Sequence, residues 1–245
     1  MKKRIILCVC ILLLTCTVLS FAQALLVPKY MTESLDGALI GEYYRETPDH
    51  DVVFIGDCEV YECFTPPTLW EEYGITSYVR GSAQQLIWQS YYLLEETLTY
   101  ETPKAVVFNV LSMKYGEPQN EAYNRMTLDG MRWSFSKAAA ISASMTEGES
   151  FLSYLFPLLR YHSRWNQIRG EDFQYLFYRD AVSHNGYLMQ TGIKPKEGAD
   201  REGLPLSDYT LPAICFEYLE KMRLLCEEKG VELILIKAPT NNWKY

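Results

Sequence analysis

Residues 51–63, DVVFIGDCEVYEC, decide the fold. Residues 52–55 form a short apolar run, Gly56 stops it, and Asp57, Cys58 and Glu59 follow. An unbroken apolar run of this length fits a strand buried on both faces, as in a parallel sheet. A glycine turn after such a strand brings the next side chains to the carboxyl edge of the sheet, where open α/β folds place their ligands. Cys58 is therefore the first residue at which chemistry is expected.

The same rhythm continues outward. Pro66 and Pro67 open a short helix through Leu69, Trp70 and Tyr73, and Gly74 closes it, the usual placement of proline at a helix start and glycine at its end. Residues 76–79 make a second short strand, and Gly81-Ser82-Ala83 a turn. Leu86, Ile87, Ser90, Tyr91, Leu94 and Leu98 follow at helical spacing, and Thr102-Pro103 breaks that helix before a third strand at residues 105–110. Near the end, Leu211, Ile214, Cys215, Tyr218, Leu219, Met222, Leu225 and Cys226 mark a long amphipathic helix closed by Gly230. Residues 231–236 are a fourth strand, with residues 237–240 at its carboxyl end. Strands alternating with helices predict an α/β fold: a doubly wound, flavodoxin-like parallel sheet in three αβα layers.

Two stretches break the rhythm. Residues 34–50 are polar and Tyr-rich and are taken as a connector, so that residues 28–50 join the N-terminal segment to a domain at 51–245. Residues of about 115–208 are rich in aromatics and Arg, with helical pieces near 136–145 and 151–159. They are expected to be an insertion that caps the carboxyl edge of the sheet.

At the N-terminus, Lys2, Lys3 and Arg4 precede an uncharged run at residues 5–27. As a helix this run is more than about 30 Å long, enough to cross a bilayer. The positive flank places the N-terminus inside and the domain outside. The segment (residues 1–27) is taken as an uncleaved signal anchor; Ala22-Gln23-Ala24 also has the small-x-small form of a signal-peptidase site, so secretion after cleavage at Ala24 is the alternative. Cys16 does not make a lipobox, because Thr15 stands where a smaller residue is needed.

The rest of the composition narrows the function. A net charge of −8 and a pI near 5.0 leave no basic footprint for nucleic acid. Of seven cysteines, Cys8, Cys10 and Cys16 lie in the apolar segment; Cys58, Cys63, Cys215 and Cys226 show no paired CxxC spacing, so no metal and no cofactor are expected. Cys215 and Cys226 fall on the apolar side of their helix and should pack as small hydrophobes. A Cys58–Cys63 disulfide is the alternative that would remove the thiol at position 58.

Four strand ends thus converge, at residues 56–59, 80–82, 109–112 and 237–240. Over residues 51–245 this arrangement resembles the SGNH/GDSL hydrolase superfamily, in particular its membrane-anchored branch related to alginate O-acetyltransferases and to the D-alanyl transfer proteins of teichoic acids. The family's first block, Gly-Asp-Ser or Gly-Ser-Ser after the first strand, is matched in place by Gly56-Asp57-Cys58, with a thiol in place of the hydroxyl. Its second-block glycine is matched by Gly81. Its third-block asparagine has Asn109 as the nearest candidate, without the usual Gly-x-Asn-Asp. The resemblance implies acyl transfer, with Cys58 as nucleophile, Asp57 in the site loop, and the Cys58 and Gly81 amides and the Asn109 side chain holding the oxyanion. Each preorganised donor is worth roughly 3 kcal/mol. Arg80, His162 and Arg164 are candidate substrate contacts.

The base is the missing part. The family supplies it from an Asp-x-x-His or Leu-His-Leu-Asn block beyond the last strand, whereas here only nine residues follow Ile236. His50 precedes the first strand, and His162 and His184 lie in the insertion. The sheet should also continue with another helix and strand, so the chain is expected to be C-terminally truncated and inactive as given. Two functions follow. One is an envelope acyl-ester hydrolase or O-acyltransferase acting on an acylated cell-surface polysaccharide or related polymer, with a membrane acyl-transfer partner. The other is a catalytically degenerate glycan-binding or scaffold protein of the envelope.

Overall fold

The computed structural model describes residues 1–28, 36–178, 181–189 and 210–237. Among them, four strands form one parallel sheet: β1 (Val52–Gly56), β2 (Ser77–Gly81), β3 (Ala105–Asn109) and β4 (Glu232–Ile236), in the spatial order β2-β1-β3-β4. The helices are α1 (Lys2–Leu26), α2 (Asp36–Glu42), α3 (Cys58–Cys63), α4 (Pro66–Tyr73), α5 (Ile87–Tyr100), α6 (Glu121–Leu128), α7 (Phe135–Ser144), α8 (Phe151–Leu155), α9 (Leu158–Tyr161), α10 (Gly170–Phe177) and α11 (Ala213–Lys229). Parallel strands need crossovers. Here α3 and α4 join β1 to β2, α5 joins β2 to β3, and the long stretch ending in α11 joins β3 to β4.

Local chemistry sets the ends of these elements. Asp57 caps α3 by accepting the Glu59 N–H at 3.1 Å. Asn120 and Ser134 cap α6 and α7 in the same way. Gly74 and Gly230 end α4 and α11 in the left-handed conformation, at φ +67° and +69°. The piece expected as one helix over 151–159 is two, α8 and α9, because Pro157 cannot continue a helix and instead stands at the start of α9.

The register aligns the strand ends. Gly56 pairs with Gly81, Ile55 with Phe108, and Asn109 with Ile236. Because side chains alternate across a strand, each face of the sheet builds its own core. Val53, Ile55, Val106 and Phe108 pack with α5 and with Cys215, Tyr218, Met222 and Cys226 of α11. On the other face Phe54, Val79 and Val107 pack with Leu39 of α2 and with Val60 and Tyr61 of α3. Phe64 stacks on Phe54 at 4.5 Å between centroids. Cys215 and Cys226 are buried as expected, and Cys58 and Cys63 are both free thiols, so the alternative disulfide is not formed. On the outermost strand β4, Ile234 and Leu235 remain 42% and 48% exposed.

Two boundaries differ from expectation. The polar stretch before β1 is part of the folded body, because Leu39, Ile40 and Tyr43 are buried in it. The described insertion helices also make their main contacts with other helices. Helix α6 packs on α2 and α7, and α7 on α5, while α9, α10 and the turn His162–Gln167 lie against α1. The expected cap over the carboxyl edge is not what these contacts build. Residues 190–208 of the insertion and residues 238–240 after β4 lie outside the described residues.

Candidate active site

Strand β1 delivers Gly56, Asp57 and Cys58 to the carboxyl edge, and the ladder sets Gly81 of β2 beside Gly56. The approach of backbone here is close enough to require glycine at position 81. A Cβ on Gly81 would lie 2.2 Å from Val60 Cγ2, 3.0 Å from the Gly56 carbonyl oxygen and 3.1 Å from that of Asp57. Cys58, Asp57, Gly81 and Asn109 are thus brought to one end of the sheet, as the sequence implies.

Their chemical state is less open than their placement. Cys58 is half-buried at the first position of α3. A helix start favours thiolate, but α3 is short and the surroundings oppose it. Burial, followed by the charges of Asp57, Glu62 and Glu59, pushes the thiol up to about 12, with Lys114 acting the other way. Asp57 is itself buried, and that burial raises its carboxyl to about 6 despite the hydrogen bond from the Glu59 N–H.

Asn109 is fully buried, and both ends of its amide are occupied. Nδ2 donates to Glu59 Oε2 at 2.8 Å, and Oδ1 accepts the Leu111 N–H at 3.0 Å, capping the turn Val110–Lys114. Glu59 also holds Lys237 Nζ at 2.8 and 2.9 Å. The carboxyl ends of β1, β3 and β4 are therefore tied by an Asn109–Glu59–Lys237 link. Sequence reasoning placed Glu59 and Lys237 at converging strand ends but missed that they pair.

The remaining candidates lie elsewhere. Arg80 does not reach out to substrate. It is buried under α5, where it contacts Glu96 at 3.1 Å, Thr97 Oγ1 at 2.7 Å, the Leu93 carbonyl at 3.2 Å and Tyr44 OH at 3.2 Å, with its guanidinium 4.0 Å over the Tyr43 ring. His162 is exposed with Nδ1 3.1 Å from the Leu159 carbonyl, and Arg164 donates to the Leu26 carbonyl at the end of α1. Neither is brought to the Cys58 turn. The other two histidines are also held away from it. His50 pairs with Glu101 at 2.9 Å, and His184 bridges to Tyr187 in a turn beside the edge of β2, where Asn185 accepts the Val79 N–H.

A separate cleft of about 420 Å³ is lined by Thr47, Asp49, His50, Pro66, Pro67, Trp70, Thr76, Ser77 and Asn185, near the amino ends of β1 and β2. Trp70 is 59% exposed there. From the sequence Trp70 reads only as a helix residue after the Pro-Pro start, because nothing local to it marks its exposure. Among the described residues no three His, Cys, Asp or Glu side chains converge as metal ligands would. Comparison of the chain with family models, with curated proteins and with solved structures finds no match.

Proposed function

We propose that this chain is a membrane-anchored, extracytoplasmic module on the doubly wound, flavodoxin-like plan of the SGNH hydrolases, and that it binds envelope glycan without turning it over at Cys58. The strand order β2-β1-β3-β4 and the Gly-Asp-Cys turn at the end of β1 support the plan. The anchor is supported by α1, which is long and apolar enough to cross a membrane, and the flanking Lys2, Lys3 and Arg4 support an inside N-terminus.

The observation that carries the non-catalytic reading is the occupied Asn109 amide. One of its two N–H donors is turned to Glu59, beside a thiol that burial and three carboxylates keep protonated. A nucleophile in that state needs a base, and His50 is paired with Glu101, His162 lies against the Leu159 carbonyl and His184 stands in the turn beside β2. The cleft at the other end of the sheet suits a sugar ring better. Trp70 offers a flat apolar face, and Thr47, Asp49, Thr76 and Asn185 offer polar groups around it.

A second reading is favoured by one observation, the meeting of Cys58, Gly81 and Asn109 at a single sheet end. There the chain would be an acyl-ester hydrolase or O-acyltransferase on an acylated envelope polymer, with the Cys58 and Gly81 amides as oxyanion donors.

One set of assays separates the two. Under the binding reading, the full chain shows no Cys58-dependent hydrolysis of an activated acetyl ester or of acetylated polysaccharide, and Trp70→Ala weakens polysaccharide binding at least about tenfold, or roughly 1.4 kcal/mol. Alkylation of Cys58 by iodoacetamide, followed peptide by peptide, should keep accelerating above pH 10 instead of levelling off near the ordinary thiol value. Ester turnover that is lost in Cys58→Ala and kept in Cys58→Ser would establish the enzyme reading instead.

A further inference from the structure

We infer that the insertion rests on the membrane: α9, the turn His162–Gln167 and α10 form an interfacial surface whose partner is the lipid bilayer beside α1. This rests on α1 being the anchor proposed above.

The folded body meets α1 at a defined level. Residues 5–21 of the helix are exposed along their whole length, and burial begins only at Ala22 and is complete at Leu26. A hydrocarbon core of about 30 Å takes about 20 residues of helix at 1.5 Å each. Counted from Ile5, the first residue after Lys2, Lys3 and Arg4, that span ends near Ala24. The turn of α1 that the body touches is therefore the one at the outer boundary of the hydrocarbon. Among the described residues, helices α9 and α10 and the turn between them make the main contacts with α1. Arg164 fixes the join by donating to the Leu26 carbonyl at 2.5 Å, a group that the helix end leaves without an intrahelical donor. Whatever packs on this turn stands at headgroup depth.

The side chains presented there suit that depth. Leu155, Phe156, Leu159, Trp165, Phe173 and Phe177 are all exposed, with Trp165 at 71% and Phe177 at 85%. Phe173 and Phe177 are four residues apart on α10 and share one stripe, while Asp172 of the same helix is buried. An apolar patch of this kind is unfavourable in water. It is the usual makeup of a helix lying in the interface, and tryptophan is enriched at that level. The nearby charges are mixed: Arg160 pairs with Glu121 at 2.8 Å, and Arg169, near Glu171 in sequence, has an apolar stem long enough to keep its head among phosphates. With α1 as one attachment and this surface as a second, the body is held in one orientation to the bilayer.

The test uses the full chain reconstituted in phosphatidylcholine vesicles that contain lipids brominated either near the headgroup or deep in the chains. The fluorescence lost between wild type and Trp165→Phe isolates the Trp165 signal. Headgroup-proximal bromines should quench that signal at least twofold more than deep ones. As an internal control, Leu13→Trp in the Trp165→Phe background marks the middle of α1 and should be quenched by the deep bromines. If Leu13→Trp is quenched and Trp165 is not, the anchor stands and the interfacial surface is overturned. If neither is quenched, α1 is not in the bilayer, and both the anchor and the surface resting on it fall.

Discussion

Replacing Gly81 with alanine tests how tightly the turn at Cys58 is packed. The added Cβ would stand 2.2 Å from Val60 Cγ2, with the Gly56 and Asp57 carbonyl oxygens at 3.0 and 3.1 Å. Optimal carbon contacts lie at about 3.5–4.0 Å, so Val60 must retreat by roughly 1.3 Å or more. Val60 is fully buried among Phe54, Val79 and Val107 and has little room to do so. Overpacking of this kind costs about 1–3 kcal/mol, and the two backbone oxygens put Gly81→Ala at the upper end. For a chain of this size, about 3 kcal/mol lowers Tm by roughly 6–12 °C. Val60→Ala alone removes two buried carbons, about 1.6 kcal/mol of transfer energy at about 0.8 kcal/mol each, plus a cavity term. In the double variant the new Cβ occupies part of that cavity, so the two losses should sum to about 1–2 kcal/mol less than additivity. Near-ultraviolet circular dichroism of the full chain in detergent follows the aromatic-rich body without the signal of α1. A wild-type Tm for Gly81→Ala, or strict additivity with Val60→Ala, would refute the packing described.

Two further perturbations address the charged interior. Glu96→Gln removes the charge opposite Arg80, whose side chain is fully buried; stranding a buried guanidinium should cost about 3 kcal/mol or more and be visible as a Tm drop of roughly 6 °C or more, and an unchanged Tm would show that the Tyr43 and Tyr44 rings suffice. For Asp57, the folded carboxyl titrates at about 6, above its ordinary value near 3.9. The folded state therefore binds more protons in between, and stability falls as pH rises from about 4 to about 6. Asp57→Asn keeps an oxygen for the Glu59 N–H, so it should exceed wild type by roughly 2 kcal/mol at pH 7 and match it near pH 4. Urea melts at the two pH values decide this, and a gap that does not change with pH would reject it.

What was legible in the sequence is what local chemistry encodes. Largely apolar stretches between turn residues mark β1, β3 and β4 at 52–55, 105–110 and 231–236, the short mixed stretch 76–79 marks β2, and α4 is bracketed by Pro66 and Gly74. The placement of Cys58, Gly81 and Asn109 followed from those strand ends alone. Long-range pairing was not legible. Glu59 meets Lys237 across 178 residues of chain, and nothing near either one announces the other. Helix α2 reads as a connector because its buried apolar residues Leu39 and Ile40, with Tyr43 just after it, stand in an otherwise polar stretch, and Tyr43 is held by Glu101, 58 residues away. Arg80 looked like a group at an open edge because its neutralising partner Glu96 lies on the next helix, which periodicity alone reads as a surface position.

The order in which the sheet is completed has a consequence for biogenesis. Strand β3 can pair with β1 as soon as both are made, but β4 and the helix α11 that covers Val106 and Phe108 are synthesised over a hundred residues later. At roughly 5–20 residues per second the ribosome needs on the order of ten seconds to supply them. During that interval β3 presents an unpaired edge and one uncovered apolar face, the condition in which nascent sheets pair with the wrong strand. Non-local closure of this kind makes yield sensitive to translation rate and to holding chaperones, and slowing synthesis across residues 110–212 should lower recovery of folded protein more than slowing it across α1.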